Sequence, residues 1–152
     1  MEQSVVKSDA VLLECFQGSY CAVKEPTETL IRYRLERAQE ALGEVKLLAE
    51  GEYWNTCTNR LYYACFYVVN ALLLAHGLSS SKHSGVRSAF NHRFVKSGIV
   101  PKEFGRLYND LYENRQESDY QDLVRMNHER VNAWFPQVEK FVEAITKLVQ
   151  PE

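Results

Sequence analysis

Glycine and proline are scarce in this chain, with 7 glycines and 4 prolines among 152 residues. Both residues interrupt regular secondary structure, so their scarcity predicts long, uninterrupted elements. No stretch alternates apolar and polar residues in the manner of a half-buried strand, and the chain contains no internal repeat or low-complexity segment. The sequence therefore predicts an all-α protein.

The four cysteines do not follow a metal-binding pattern. There is no Cys-x-x-Cys and no His-x-x-x-His, which are the spacings typical of zinc sites. Cys57 and Cys65 fall within an apolar helical pattern, where free cysteine usually behaves as a small hydrophobic residue. We expect no metal site, no cofactor and a reducing compartment.

No segment has the features of a signal peptide or a membrane span. The apolar run at residues 61–75 is too short to cross a bilayer, and Asn70 interrupts it. A formal charge of −2 argues against a general nucleic-acid coat but leaves room for a local basic patch. We therefore expect a cytoplasmic protein that does not associate with membranes.

Apolar residues recur at helical spacing over most of the chain and predict an antiparallel, up-and-down bundle of about five helices. The second helix is apolar almost all round, which predicts that it is central. The expected helices cover residues 27–50, 52–76, 82–96, 101–118 and 128–149.

The first 26 residues lack a sustained period and end at Pro26. They predict an N-terminal extension that is either irregular or a docking arm, followed by a helical domain over residues 27–149. Thr27 and Ser81 are the expected N-caps of the first and third helices.

The segment Arg-Gln-Glu-Ser-Asp-Tyr, residues 115–120, is the most informative motif. Arg115 and Asp119 are four apart and share a face of a helix, so they can pair. An arginine followed closely by a polar side chain such as Asp119 or Tyr120 suits phosphate chemistry, since one group binds the oxyanion and the other handles a proton. The alternative is an ordinary solvated helix end with an ion pair.

Two further clusters are candidate binding sites. Asn59, Arg60 and Tyr63 place polar groups in the most apolar helix, which indicates either a ligand-facing or subunit-facing patch near Arg115 or an edge from which the arginine reaches solvent. His83, at the expected start of the third helix, is a candidate base or a candidate hydrogen-bond donor to a phosphate, with a surface cap as the alternative.

These motifs, in this order and spacing, resemble the HEPN domains of bacteria and archaea. The resemblance covers roughly residues 27–149 and rests on residues 59–64, on Lys82-His83-Ser84-Gly85-Val86 with Ala89-Phe90, and on residues 115–120. It implies a helical bundle that forms two-fold homodimers, with the motif arginines of both subunits in a shared cleft. It also implies a minimal nucleotidyltransferase as partner in a toxin–antitoxin type system.

Many HEPN proteins are metal-independent endoribonucleases in which a histidine follows the arginine after four to six residues. Arg115 matches that arginine, but Tyr120 stands where the histidine could be. A tyrosine, with an ordinary pKa near 10, is a poor base at neutral pH. The resemblance therefore implies binding of nucleotide or RNA by Arg115, with Asp119 orienting the phosphate or ribose. Tyr120 would donate a hydrogen bond or accept a transferred nucleotidyl group. The alternatives are an active endoribonuclease, with Asp119 or Tyr120 as proton acceptor, and a non-catalytic scaffold.

Overall fold

The computed structural model describes the backbone over residues 3–120 and 125–150, and side chains over residues 26–115 and 125–150. Over these residues the chain forms five α-helices and one short π-helix, and no strand. The helices are α1 (Gln3–Glu50), α2 (Trp54–Ala75), α3 (His83–Phe90), α4 (Lys102–Tyr120) and α5 (His128–Val149), and the π-helix (Asn91–Val95) directly continues α3. The predicted all-α helical bundle is confirmed.

The N-terminal part of the chain differs from the prediction. Helix α1 begins at Gln3, not at Thr27, so residues 3–26 are helical and Pro26 lies inside the helix. A proline lacks the N–H that a helix uses, but its fixed φ is compatible with helical geometry, so it removes one hydrogen bond without forcing a break. The chain divides into two compact units, residues 1–30 and residues 31–152. A docking role for residues 1–26 stays a prediction.

Helix α2 is the centre of the second unit, as its all-round apolar sequence predicts. It packs against α3, α4 and α5, and Leu61, Tyr62, Val68 and Leu72 on it are fully buried. Gly77 adopts a φ of +70° directly after this helix. That left-handed conformation costs glycine little, and it ends the helix where the sequence predicts.

The predicted third helix covers two elements. The chain is α-helical only to Phe90 and then forms one turn of π-helix. The N-cap is Lys82, with no side-chain cap hydrogen bond, so the expectation that Ser81 caps this helix is wrong. On α5 the cap is Asn127, whose side chain accepts a hydrogen bond of 3.0 Å from the backbone N–H of Arg130.

Residues 96–101 bring the chain from the π-helix into α4. Gly98, with a φ of +84°, makes the reversal, and Pro101 immediately precedes α4. Helix α4 then packs against α2, the π-helix and α5. This arrangement brings the C-terminal half of α4 next to the middle of α2 and to the start of α3, where the candidate site lies.

Candidate functional site

Arg115 lies on α4 and reaches across to aromatic side chains of α2. Its guanidinium carbon is 4.5 Å from the centre of the Tyr62 ring and 5.8 Å from that of Tyr63. Its Nη1 atom also makes a long hydrogen bond of 3.5 Å to the Tyr63 hydroxyl. A guanidinium over aromatic faces is held by cation–π attraction, which strengthens as water is removed. The arginine is therefore oriented by α2 and is not a freely moving surface side chain.

His83 meets Arg115 from a third element. It is the first residue of α3, and its ring stacks on Phe66 of α2 with centroids 4.3 Å apart. Its Nδ1 atom lies 3.2 Å from Nη1 of Arg115 and 2.8 Å from the hydroxyl of Tyr62. The structure thus places an imidazole beside the arginine of α4, although position 120 of α4 holds a tyrosine.

These contacts define the protonation of His83. A guanidinium can only donate hydrogen bonds, so Nδ1, facing Nη1 of Arg115, is the acceptor and the ring proton lies on Nε2. The Tyr62 hydroxyl then donates to the same Nδ1. Burial, and secondarily the Arg115 charge, lowers the pKa of His83 below its ordinary value of 6.5. At neutral pH His83 is a neutral imidazole with its N–H on the side away from Arg115.

The Tyr62 phenol supports this arrangement from the core. The side chain is fully buried, and its ring stacks on that of Tyr108 at 5.9 Å. Burial raises the pKa of Tyr62 to about 12, with the Arg115 charge acting in the opposite direction. The hydroxyl therefore keeps its proton at neutral pH and remains a hydrogen-bond donor.

Asn59, Arg60 and Tyr63 lie together on the neighbouring part of α2. Arg60 pairs with Glu44 of α1, with Nη1 to Oε2 at 3.2 Å, and donates from Nη2 to the Asn59 Oδ1 at 2.9 Å. Its guanidinium carbon lies 4.9 Å from the centre of the Tyr63 ring, so Tyr63 lies between Arg60 and Arg115. The carboxylate of Glu44 explains how the half-buried Arg60 is tolerated in an apolar helix.

Two predicted site residues, Asp119 and Tyr120, lie on the last turn of α4. Helix α4 extends to Tyr120, so positions 119 and 120 are helical. The side chains of Asp119 and Tyr120 lie outside the described residues, and the Arg115–Asp119 pair stays a prediction. Within the described part of the chain, no group of three or more His, Cys, Asp or Glu residues is arranged to hold a metal ion.

Sequence reasoning missed two members of the cluster. Neither Tyr62 nor Phe66 is among the site residues predicted from the sequence, but Tyr62 donates to His83 and Phe66 stacks on its ring. Their spacing of four on a helix that also carries Asn59 and Arg60 is a signal of one shared face. That signal does not reveal which residue from a distant helix meets the face.

The profile of the HEPN domain matches residues 31–148. The chain belongs to the HEPN domain family. The match confirms the resemblance drawn from residues 59–64, 82–90 and 115–120, and it lies within the domain boundaries expected from the sequence.

Several relatives share most of this domain. A UPF0332 protein from Thermotoga maritima is 50% identical over 123 residues, which cover 81% of this chain and 93% of that protein. Two proteins from Methanocaldococcus jannaschii carry names that include the word toxin. "Putative toxin MJ0605" is 31% identical over 84% of this chain and 92% of its own length, and "Putative toxin MJ0142" is 33% identical over 62% and 65%, respectively.

Among the described residues, no helix combines the length and apolar character required to cross a bilayer. The 22 residues of α2 include Asn59, Arg60 and Asn70, and the helix is buried by other helices of the same domain.

Proposed function

We propose that this chain is the HEPN component of a toxin–antitoxin type pair and that it binds the phosphate of a nucleotide or RNA at Arg115. The single observation that carries the proposal is the Arg115–His83–Tyr62 cluster, in which groups from α4, α3 and α2 converge. The two relatives whose names include the word toxin support the biological setting.

The cluster has the chemistry that phosphate binding requires. Tyr62, Tyr63 and His83 contact the guanidinium through its π face and one Nη atom. An arginine orientated in this way presents a positive charge and planar N–H donors, which match the oxygens of a phosphate. The fixed orientation reduces the entropy that is lost on binding.

His83 adds a second donor to the same site. Its Nδ1 accepts from Tyr62 and Arg115, and no described residue hydrogen bonds to Nε2. The Nε2–H therefore lies on the other side of the imidazole ring from Nδ1, the atom that contacts Arg115. In the proposal, one phosphate oxygen accepts from Arg115 and another from Nε2–H of His83.

The tautomer also bears on catalysis. A neutral imidazole with its proton on Nε2 donates a hydrogen bond there and cannot take a proton at that atom. The role that fits His83 is thus stabilisation of a phosphoryl oxygen, not general-base catalysis. Binding without cleavage is accordingly the favoured function, and endoribonuclease activity, which would require Asp119 or another group as base, is the alternative.

The test is incubation of the purified protein with labelled RNA in EDTA, followed by measurement of both cleavage and binding. Arg115→Ala is compared with wild type, and Arg130→Ala is the matched control, because Arg130 also lies over an aromatic ring, that of Trp134, but on the exposed side of α5. We expect RNA binding that is lost in Arg115→Ala and kept in Arg130→Ala. Cleavage that requires Arg115 would establish the endoribonuclease, whereas equal binding by all three proteins would rule out this site.

Substitutions at His83 distinguish the roles of its two ring nitrogen atoms. Glutamine places an N–H donor near the position of Nε2, and asparagine places an acceptor near that of Nδ1. We expect His83→Gln to bind RNA more tightly than His83→Asn. The opposite order would show that the Nδ1 side, not Nε2–H, serves the ligand.

The partner and the assembly are part of the same proposal. We expect a two-fold homodimer that places two Arg115 side chains in one cleft, and a minimal nucleotidyltransferase as the partner protein. Large apolar side chains such as Tyr33, Leu47 and Ile99 are more than half exposed, which provides surface for such contacts. Analytical ultracentrifugation should give the mass of a dimer, and a monomer at all concentrations would refute the shared cleft.

A further inference from the structure

A groove lined mainly by polar and positively charged side chains, the basic groove, follows the seam between the α3–π-helix segment and α4. It has a volume of about 740 Å³ and is lined by side chains from both walls. Arg87 and Lys96 contribute positive charge from one wall, and Lys102 and Arg106 contribute it from the other. Among the described lining residues, Glu113 is the one carboxylate. These residues thus set four cations against one anion on a chain whose formal charge is −2.

The contacts along this seam occur in a regular order. From one end to the other, Arg115 meets His83, Glu113 meets Arg87 at 3.8 Å, and Asn109 accepts a hydrogen bond of 3.0 Å from Asn91. At the far end α4 passes very close to the π-helix, since a Cβ at Gly105 would lie 2.8 Å from Cγ1 of Val95. The Arg115–His83 cluster is therefore one end of the seam that the basic groove follows.

The length of the seam selects the kind of ligand. Positions 102 and 115 are separated by about 20 Å along a helix that rises about 1.5 Å per residue. A mononucleotide bound at Arg115 would leave the distant cations unused. We propose that the groove holds the phosphate backbone of single-stranded RNA, one phosphate of which lies at Arg115. This inference rests on the proposed function and specifies its ligand as a polymer.

The polar residues between the cations favour RNA over an acidic protein segment. Asn91 and Asn109 join across the seam between the charged positions. Side-chain amides can pair with base edges, whereas an acidic peptide would need only the positive charges. The π-helix also lies at this groove, and such turns occur frequently at functional sites.

The experiment measures the affinity of 2′-O-methyl oligouridylates of increasing length, starting from the mononucleotide, in EDTA. The methyl group prevents cleavage, so only binding is measured. The groove variant is Lys102→Glu/Arg106→Glu, and the matched control is Arg32→Glu/Lys140→Glu, which changes the charge equally at exposed positions of α1 and α5. All four side chains are exposed, so both proteins should fold.

We expect affinity to rise with length in wild type and in the control, and to rise much less in the groove variant. The slope of log affinity against log salt for the long oligomer should become shallower by about 0.7 for each phosphate contact removed. Affinity independent of length, or a groove variant that matches the control, would overturn the groove. Competition by polyglutamate as strong as that by RNA of equal charge would also overturn it, in favour of an acidic partner.

Failure of the proposed function gives a different result. If the groove alone is wrong, the short oligomers still bind wild type and lose affinity in Arg115→Ala. If the function is wrong, Arg115→Ala binds every length as wild type does, or wild type binds none.

Discussion

The hydrogen bond between Tyr62 and His83 provides the most quantitative test of the site. The Tyr62 side chain is fully buried, and its hydroxyl lies 2.8 Å from Nδ1 of His83. His83→Leu removes the Nδ1 acceptor and leaves the buried O–H of Tyr62 without that hydrogen bond. The free energy of unfolding should fall by about 1–3 kcal/mol as a result. For a chain of this length that loss corresponds to a decrease in Tm of about 2–4 °C per kcal/mol.

The companion variants show whether the loss comes from this hydrogen bond. Tyr62→Phe removes the donor, leaves Arg115 to donate to Nδ1, and should cost about 1 kcal/mol. In the double variant the O–H and its acceptor are both absent, so the combined loss should be smaller than the sum by about 1 kcal/mol. Urea unfolding of the four proteins gives the coupling energy.

Additive losses, within about 0.5 kcal/mol, would refute the reasoning. They would mean that His83 stabilises the fold through its stacking on Phe66 and not through Nδ1. The assignment of the proton to Nε2 would then rest on the Arg115 contact alone. Direct ¹⁵N NMR of the imidazole would give the tautomer independently.

Three further predictions follow from the described residues. The fold lowers the pKa of His83, so the unfolded chain binds more protons than the native one below about pH 6.5. The contribution of neutral His83 to the free energy of unfolding is therefore fully present above that pH and is lost as the pH falls. The free energy of unfolding should fall less steeply with decreasing pH in His83→Gln than in wild type. Burial raises the pKa of the Cys65 thiol far above its ordinary value, so Cys65 should react with iodoacetamide only on unfolding, and mass spectrometry showing labelling of the native protein would contradict this. Asn127→Ala removes the α5 cap and should cost about 1 kcal/mol in urea unfolding, whereas Asn127→Ser should largely preserve stability.

The position of His83 changes the interpretation of Tyr120, which stands where the motif histidine of many HEPN proteins could be. From the α4 motif alone, the chain lacks the imidazole that accompanies the arginine in many HEPN proteins. In the fold an imidazole does lie 3.2 Å from Arg115, but it comes from α3 and its nearest nitrogen already accepts hydrogen bonds. An imidazole with that nitrogen occupied suits ligand binding better than proton abstraction, which is why the proposal favours binding.

The sequence by itself determined the helices and the central place of α2. Periodic apolar residues identify the buried face of each helix, and a helix that is apolar all round must be surrounded by others. Helix ends marked by a glycine were well predicted, as at Gly51 and Gly77, because a left-handed conformation or a break is a local property. The prediction that the helix begins after Pro26 was wrong, because a local rule about proline does not state whether the surrounding helix continues.

Only the tertiary structure decided the membership of the site. His83 and Arg115 are 32 residues apart, and Tyr62 is 21 residues from His83. Periodicity specifies which face of a helix is buried but not which face of another helix it meets, nor at what height along the axis. The same limit applies to the basic groove, whose four cations come from separate segments and form one surface only when α4 packs along the α3–π-helix segment. Helix packing therefore decides the site, because it sets distances between side chains that the sequence leaves unrelated.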